Sequence, residues 1–390
     1  MPGMSAERSI LIVAGEASGE QHAAGLMEGV KCLFPNLTLH WFGAGGPRMG
    51  QQGAELLGDV SQLGAIGPWD ALAHLGDYLA LYRRLVHEAE RRRPNLVVLV
   101  DFPEFNLRLA RRLREQGVPT VYFISPQVWA WRMGRVNQIR KYVDLMMVIF
   151  PFEVDFYQRH GVNAVYVGNP TYSSLRHRLI TTRRELDEPK RVALFPGSRN
   201  KEIKRLFPLL LDCARYVSNR AAVEFRVAKA PSVRRDQLEC IYTSWTAKTG
   251  VKLPLTIGEE ESAALLASCD CAIIKSGTST LEAMVLEVPF AMVYRMARPS
   301  WYAVKPFART NTYCLANLVA GTRIVPEFVQ DQATAANIGG YILRLLTDRA
   351  EHSRIRECLR QAASRLGELD AYDEAARRVG ALLLEGSTVR

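Results

Sequence analysis

The chain has 390 residues, of which 48% are hydrophobic and 23% charged, values typical of globular proteins rather than disordered or fibrous ones. Its length exceeds what one hydrophobic core usually organises, so we expect two α/β domains. The net charge of +10 favours anionic partners such as nucleotides, phosphorylated lipids, nucleic acid or an acidic membrane face. Seven scattered cysteines argue against a disulfide framework, and no His-x-x-x-His pair supports a metal hydrolase.

The start of the sequence and its apolar stretches bear on localisation. Residues 1–8 lead directly into an apolar strand, so we expect no signal peptide. Acidic residues interrupt the apolar stretches elsewhere, well short of the ~20 residues that a spanning helix needs. We therefore predict a cytoplasmic protein without a transmembrane helix.

Strand-like runs alternate with helical patterns through the first half of the sequence. They cover residues 9–14, 37–42, 95–100, 118–124, 143–149 and 164–167. Because most of their connections are long enough to be helices, we predict a doubly wound parallel sheet. This first domain covers residues 1–175, with ligand-binding loops at the carboxyl ends of its strands.

A second α/β series follows a polar and charged linker at residues 171–189. Strand-like runs at 191–195, 223–228, 269–274 and 289–294 predict a second doubly wound domain over residues 190–330. Residues 331–390 contain amphipathic segments and no further strand-like run, so we predict C-terminal helices that brace one domain or a partner subunit. The predicted fold class is α/β, with two Rossmann-like domains and a C-terminal helical segment.

Two features of the first domain lie at predicted strand ends. Gly15 and Gly19 are in a strand-to-helix loop where backbone can approach a ligand, although a plain tight turn is the alternative. Asp101 directly follows the strand at 95–100, at the edge where α/β sheets place functional residues. Capping of the next helix is the alternative role for Asp101.

An aromatic and basic segment follows another strand of the first domain. It reads Ser125-Pro-Gln-Val-Trp-Ala-Trp-Arg132. Tryptophan and arginine in a loop suit the face of a sugar or an acyl group, or else fill a domain interface.

Two loops of the second domain have the composition of a phosphate site. Gly197, Ser198 and Arg199 precede a helix and combine a flexible backbone, a hydroxyl and a guanidinium, which favours a diphosphate. The segment Lys275-Ser-Gly-Thr-Ser-Thr280 follows a later strand, and Glu282 suits a ribose diol. No Asp-x-Asp pair is present to bracket a metal, so we expect cations and helix dipoles to balance the leaving-group charge.

These motifs, taken in order, resemble those of the lipid-A-disaccharide synthase family. The resemblance covers about residues 10–340. It rests on Gly15-Glu-Ala-Ser-Gly19, Gly45-Gly-Pro-Arg-Met49, Asp101 with Phe105-Asn106, Ser125-Pro-x-Val-Trp-Ala-Trp-Arg132, Pro151-Phe-Glu153, Pro196-Gly-Ser-Arg199, Ser276-Gly-Thr278, Tyr294-Arg295 and Asn317-Leu-x-Ala-Gly321.

The resemblance implies two facing domains of the GT-B type and a homodimer that exchanges terminal helices. It implies inverting transfer of 2,3-diacylglucosamine from UDP-2,3-diacylglucosamine to the 6-hydroxyl of 2,3-diacylglucosamine 1-phosphate, with no metal or cofactor. By the same resemblance, the catalytic residues are Asp101 as general base, Glu16, Arg199 and Asn317. We assign substrate or UDP binding to Gly15, Ser18, Gly19, Gly197, Ser198, Arg199, Ser276, Gly277, Thr278, Ser279, Thr280 and Glu282.

Acylated substrates imply a surface that contacts the membrane. Apolar side chains recur at three- or four-residue steps at Ile66, Trp69, Leu72, Leu75 and Leu79. The pattern alone favours a helix that faces the core, whereas the resemblance favours a helix that docks on lipid. We therefore expect peripheral association with the cytoplasmic face of the inner membrane.

Several residues depart from the pattern of the family, and they bear on acyl-chain preference and acceptor geometry. They are Glu20, Phe102, Glu104, Asn169, Lys275 and Ala316.

Three other functions compete with this one. A UDP-sugar epimerase has the same two-domain architecture and also holds UDP in its second domain. A nucleic-acid-binding protein would suit the net charge, but no recognised nucleic-acid module is present. A nucleotide-binding regulatory module would have no chemistry at all.

Overall fold

The computed structural model describes residues 7–59, 75–130, 132–176, 189–305 and 310–385, apart from the side chains of Glu16, Ala17, Leu75, Ala303, Val304 and Glu385. The chain divides into two compact units. Unit 1 consists of Met1–Pro170 and Glu368–Arg390, and unit 2 consists of Thr171–Gly367.

Unit 1 is built on a seven-stranded parallel sheet with the strand order β3-β2-β1-β4-β5-β6-β7. The strands are β1 (Glu7–Ala14), β2 (Thr38–Gly45), β3 (Glu55–Asp59), β4 (Leu96–Val100), β5 (Thr120–Phe123), β6 (Leu145–Val148) and β7 (Ala164–Tyr166). The helices are α1 (Glu16–Leu33), α2 (Pro47–Gln51), α3 (Leu75–Arg92), α4 (Pro103–Arg114), α5 (Arg135–Tyr142) and α6 (Pro151–Arg159). The next helix, α7 (Pro170–Leu175), begins at the boundary residue Pro170, and its other residues belong to unit 2.

The central strands of unit 1 are buried on both faces. In β1, Leu11 and Val13 join one core cluster while Ile10 and Ile12 join another, as the two-residue period of a strand requires. All five residues of β4 are buried. Helices on both faces of a parallel sheet explain why these strands are continuous apolar runs in the sequence.

Unit 2 is built on a six-stranded parallel sheet with the order β10-β9-β8-β11-β12-β13. The strands are β8 (Lys190–Phe195), β9 (Val223–Ala228), β10 (Leu255–Gly258), β11 (Cys271–Lys275), β12 (Phe290–Tyr294) and β13 (Glu327–Val329). The helices are α8 (Asn200–Ser218), α9 (Arg235–Thr249), α10 (Ser262–Ala267), α11 (Ser279–Val285), α12 (Arg298–Val304), α13 (Leu315–Ala320), α14 (Ala335–Thr347) and α15 (Arg349–Ser364). One short 3₁₀ helix covers Gln330–Gln332.

The last helix, α16 (Ala371–Glu385), belongs to unit 1, whereas α14 and α15 belong to unit 2. The helix α16 packs against α1 at two glycines. A Cβ atom added at Gly25 would lie 2.8 Å from the Tyr372 ring, and one added at Gly29 would lie 3.1 Å from the Ala376 Cβ. The Tyr372 hydroxyl is also 3.0 Å from His22 Nδ1. Small residues on α1 therefore allow the end of the chain to complete the core of unit 1.

The predicted fold class is confirmed, because both units are doubly wound parallel sheets and helices close the chain. Three strands were absent from the prediction, namely β3, β10 and β13, and each lies at an edge of its sheet. Within the described ranges, no helix has the length and apolar content needed to cross a membrane.

Candidate functional site

Each unit has one point where the strand order reverses, between β1 and β4 in unit 1 and between β8 and β11 in unit 2. Open α/β sheets bind ligands beyond the carboxyl ends of the strands at such points. In unit 2 a cavity of about 600 Å³ lies there. It is lined by Phe195, Gly197, Ser198, Ala228, Lys229, Ala230, Pro231, Glu259, Glu260, Glu261, Ser262, Lys275, Ser276, Gly277, Thr278, Ser279 and Glu282.

The cavity brings together seven residues that the sequence assigns to UDP. These are Gly197, Ser198, Ser276, Gly277, Thr278, Ser279 and Glu282, which come from the turn after β8 and from the loop after β11 with the first turn of α11. Gly197 has φ +111°, a conformation that side chains rarely adopt, so the turn after β8 depends on glycine. Thr280 does not line the cavity, because its buried hydroxyl donates to the Gly277 carbonyl at 2.7 Å.

The Glu282 carboxyl lies on the cavity wall and is held by a neighbouring helix. The Ser262 hydroxyl donates to Glu282 Oε2 at 2.8 Å. Burial raises the pKa of Glu282, although the Ser262 hydrogen bond acts in the opposite direction. One carboxyl oxygen is thus oriented by α10, and the group suits recognition of a hydroxyl pair.

The remaining walls of the cavity come from segments that the sequence did not identify as functional. Residues 228–231 begin at the last residue of β9, and residues 259–262 follow β10. Glu259 Oε2 lies 3.4 Å from Lys229 Nζ, so these two walls are joined by an ion pair. For residues 228–231, the position at the end of the predicted strand 223–228 was the signal that could have identified them, whereas no strand was predicted before residues 259–262.

Arg199 precedes α8 and lies beside an acidic residue of that helix. Its side chain is 68% exposed, and its Nη1 atom is 3.6 Å from Glu202 Oε1. The same Glu202 oxygen is 3.1 Å from Lys275 Nζ. Glu202 therefore links Arg199, which follows β8, to Lys275 at the end of β11.

Asn317 is buried and uses its whole amide to hold a loop of unit 2. Its Nδ2 atom donates to Val325 O at 2.9 Å and to Glu327 Oε1 at 2.8 Å. Its Oδ1 atom accepts from the backbone N–H groups of Ile324 and Val325 at 2.9 and 3.0 Å. All four hydrogen-bonding positions of the amide are occupied within the protein, and Asn317 is not among the cavity residues.

The Asn317 network nevertheless connects to the cavity. Glu327 accepts from the Tyr313 N–H at 2.8 Å, and the Tyr313 carbonyl accepts from Ser276 Oγ at 2.8 Å. Asn317 thus supports the loop that carries Ser276.

In unit 1, Asp101 has an uncommon backbone conformation. Asp101 and Phe102 have φ of +48° and +51°, and left-handed non-glycine residues cost about 1–3 kcal/mol each. The Asp101 carbonyl accepts hydrogen bonds from Asn106 Nδ2 at 2.7 Å and from the Tyr122 hydroxyl at 2.5 Å. Two buried side chains therefore hold the strained segment in place. The N-cap of α4 is Phe102, so Asp101 does not occupy the capping position.

The loop after β1 lies against the same segment. A Cβ atom added at Gly15 would lie 2.2 Å from Phe102 Cγ, so the close approach of the two loops requires glycine. Gly19 is buried in α1 and Ser18 is exposed. The side chain of Glu16 lies outside the described part of the structure.

Two residues that depart from the family pattern have supporting contacts in unit 1. Glu20 Oε1 accepts from the Arg48 N–H at 2.6 Å, which holds the loop after β2. Asn169 Nδ2 donates to the Ile149 carbonyl at 3.1 Å.

The aromatic segment after β5 is organised around a buried acid. Glu153 Oε1 accepts from Ser125 Oγ at 2.6 Å and from Trp129 Nε1 at 3.1 Å, and its Oε2 accepts from the Phe150 N–H at 3.1 Å. Burial raises the pKa of Glu153 to about 7. The Trp129 ring also packs edge-on to Phe152 at 5.2 Å. Trp131 lies outside the described residues.

The predicted lipid-docking residues fall mostly in a part of the chain that is not described. Ile66, Trp69 and Leu72 lie outside the described residues, as does the side chain of Leu75. Leu79 is 39% exposed on α3.

Comparison with known proteins identifies relatives along nearly the whole chain. A family sequence profile described as lipid-A-disaccharide synthetase matches residues 10–379. The lipid-A-disaccharide synthase of Myxococcus xanthus is 37% identical over 387 residues, which is 97% of this chain and 98% of that protein. The enzyme of the same name from Geobacter sulfurreducens is 38% identical over 382 residues, or 96% of each chain.

Solved structures share the fold at low sequence identity. A calicheamicin glycosyltransferase has a TM-score of 0.56 at 18% identity, covering 97% of this chain and 99% of that one. The UDP-GlcNAc 2-epimerase from Neisseria meningitidis bound to UDP-GlcNAc has a TM-score of 0.58 at 11% identity, covering 97% of this chain and all of that one. Both glycosyltransferases and epimerases therefore occur on this architecture.

Proposed function

The chain belongs to the lipid-A-disaccharide synthase family, a family of glycosyltransferases, and on that basis we propose its reaction. The protein transfers 2,3-diacylglucosamine from UDP-2,3-diacylglucosamine to the 6-hydroxyl of 2,3-diacylglucosamine 1-phosphate. The products are a β-1,6-linked disaccharide and UDP. The observation that supports the donor most directly is the cavity of unit 2, where seven residues assigned to UDP lie together.

We assign the nucleotide to unit 2. Glu282 receives a hydrogen bond from Ser262 and remains positioned for the ribose hydroxyls. Gly197 and Ser198 provide the backbone and hydroxyl donors before α8, a helix of 19 residues whose N-terminus favours an anion. Arg199 supplies a guanidinium for the charge that develops on the departing diphosphate.

We assign the general base to Asp101 in unit 1. A primary alcohol attacks the sugar more readily when a carboxylate takes its proton in the transition state. The hydrogen bonds of Asn106 and Tyr122 to the Asp101 carbonyl keep the strained backbone in one conformation. A base in a fixed position contributes to rate through orientation as well as through proton transfer.

We also propose peripheral contact with the cytoplasmic face of the inner membrane. Both substrates carry acyl chains, and the exposed Leu79 continues the apolar series of Ile66, Trp69, Leu72 and Leu75. Amphipathic helices with a large apolar face bind in the lipid interface, and this principle is the basis of the proposal.

The reaction is tested with purified protein and both acylated substrates, with products identified by mass spectrometry and NMR spectroscopy. Formation of the disaccharide together with UDP supports transfer. If the UDP-sugar is instead converted to an isomer without any need for the acceptor, the protein is an epimerase.

Replacement of Asp101 by asparagine tests the base. Asparagine tolerates the left-handed conformation as aspartate does, so the backbone should be preserved. We expect turnover to fall by about 10²–10⁴-fold while UDP binding stays unchanged. Asp155→Asn, the same change at an exposed position on α6, is the control and should keep full turnover. Near-normal turnover of Asp101→Asn would exclude Asp101 as the base.

A further inference from the structure

A lysine that lines the cavity of unit 2 pairs with a glutamate beside the two loops proposed for the diphosphate. Lys275 is the last residue of β11 and Glu202 is the third residue of α8. Their side chains are only 19% and 22% exposed, and Lys275 Nζ is 3.1 Å from Glu202 Oε1. A pair shielded in this way is screened by salt less than a surface pair.

The second oxygen of Glu202 lies against the glycine turn. A Cβ atom added at Gly197 would be 2.8 Å from Glu202 Oε2. This oxygen is buried, and no described residue donates a hydrogen bond to it. Buried acceptors without a donor are uncommon and call for an explanation.

The surroundings of the Glu202 carboxylate would therefore also suit an anionic ligand. It touches the turn at Gly197 and lies near the two cations Arg199 and Lys275. A diphosphate that entered these loops would need the same cations.

We propose that Lys275 binds the diphosphate of the nucleotide and that Glu202 is an internal anion competing with the diphosphate for Lys275 and Arg199. This inference rests on the proposed assignment of UDP to unit 2. Without nucleotide, Glu202 holds the two cations close to the cavity. When the diphosphate binds, it takes over their charge, and Glu202 then opposes it as a like charge. This repulsion between Glu202 and the diphosphate lowers the affinity of the protein for UDP, which is a product of the proposed reaction.

The first test measures calorimetric affinities of the full-length protein for UDP and for uridine. Lys275→Met removes the ammonium while keeping an unbranched side chain. We expect it to weaken UDP binding about 10- to 100-fold, the value of a charged hydrogen bond, and to leave uridine binding unchanged. An equal loss of affinity for UDP and for uridine would indicate a structural defect and overturn the proposal. Unchanged affinity for UDP would also overturn it.

Lys229→Met is the matched control, because it removes a second lysine from the same cavity. Lys229 pairs with Glu259 instead of Glu202. Its replacement should affect UDP less than Lys275→Met does. An equal loss in the two variants would mean that general positive charge, and not Lys275, attracts the diphosphate.

Glu202→Gln tests the competing anion. Glutamine keeps an oxygen that can accept from Lys275 but carries no charge, so we expect UDP to bind about 3- to 30-fold more tightly, with uridine unchanged. The gain should shrink in the Lys275→Met background, because one of the contested cations is then absent. Weaker UDP binding by Glu202→Gln, or an equal gain in both backgrounds, would refute the assigned role.

The outcomes separate this inference from the proposed function. If the wild-type protein forms the disaccharide and binds UDP but the variants behave like wild type, only the inference fails. If the wild-type protein binds no UDP, the assignment of the nucleotide to unit 2 fails first.

Discussion

Replacement of Glu153 by glutamine tests the buried acid that organises the aromatic segment of unit 1. Its two oxygens accept hydrogen bonds from Ser125, Trp129 and the backbone of Phe150. Burial raises the pKa of this carboxyl from its ordinary value of 4.5 to about 7. Ionisation of Glu153 should therefore impose a pH dependence on the stability of unit 1.

The direction and the size of this pH dependence follow from proton linkage. In the unfolded chain Glu153 ionises near pH 4.5, whereas in the folded protein it retains its proton until about pH 7. The unfolded state binds fewer protons in this window, so stability decreases as the pH rises through it. Between pH 5 and pH 8 the loss is about 2.5 kcal/mol at 1.36 kcal/mol per pKa unit.

Glu153→Gln removes the ionisation and also one acceptor. The amide oxygen can replace Oε1, but the amide NH₂ then faces the Phe150 N–H, which costs about 1–3 kcal/mol. At pH 5 we expect the variant to be less stable than wild type. At pH 8 the difference in unfolding free energy between wild type and variant should be smaller by about 2.5 kcal/mol, which corresponds to about 5–10 °C in Tm for a domain of this size.

Thermal unfolding followed by tryptophan fluorescence between pH 5 and pH 8 measures this gap. Glu115→Gln makes the same change at an exposed site of unit 1, and its difference from wild type should not vary in this way. A gap between wild type and Glu153→Gln that stays constant with pH would refute an ionisation of Glu153 near neutrality.

Three further predictions concern the remaining parts of the site. Arg199→Ala should weaken UDP binding about 10- to 100-fold through loss of a charged hydrogen bond, and unchanged calorimetric affinity would exclude the contact. Gly15→Ala should displace Phe102 and the adjoining Asp101, so turnover should fall while UDP affinity is retained; normal turnover would show that the loops can separate freely. Replacing Trp69 and Leu72 together by serine should weaken sedimentation with lipid vesicles without changing the circular dichroism spectrum, and full vesicle binding would contradict the docking helix.

Apart from the edge strand β7, the strands that the sequence predicts are the interior strands of the two sheets, where both faces are covered and apolar residues are favoured. All five residues of β4 are buried, and its sequence is uniformly aliphatic. By contrast, the three residues of β13 are only partly buried, and β3 contains glycine and acidic residues. An edge strand pairs on one side only and needs less apolar surface, so β3, β10 and β13 lack the pattern on which the prediction depends.

The same limit explains which parts of the unit 2 cavity were predicted. The loops at Gly197 and Ser276 follow strands with clear patterns and contain glycine and hydroxyl groups, which mark them in the sequence. The wall at 259–262 follows β10, a strand that was not predicted, so its acidic residues could not be placed at a sheet edge. Residues 228–231 carry only one charged side chain, and nothing in their composition marks a ligand site.

Motif resemblance selects polar residues without distinguishing those that contact a ligand from those that support a loop. Asn317 matches a residue that the family requires. All four hydrogen-bonding positions of its amide are occupied by the backbone of residues 324–325 and by Glu327. Glu153 likewise holds the segment that carries Trp129. A buried amide or carboxylate that loses its hydrogen-bond partners destabilises the folded protein. Replacement is therefore disfavoured at residues that support a loop as well as at residues that contact a ligand. The distinction becomes visible only in the hydrogen bonds, which connect Asn317 to the loop that carries Ser276, whereas Lys275 lines the cavity of unit 2 and shares Glu202 with Arg199.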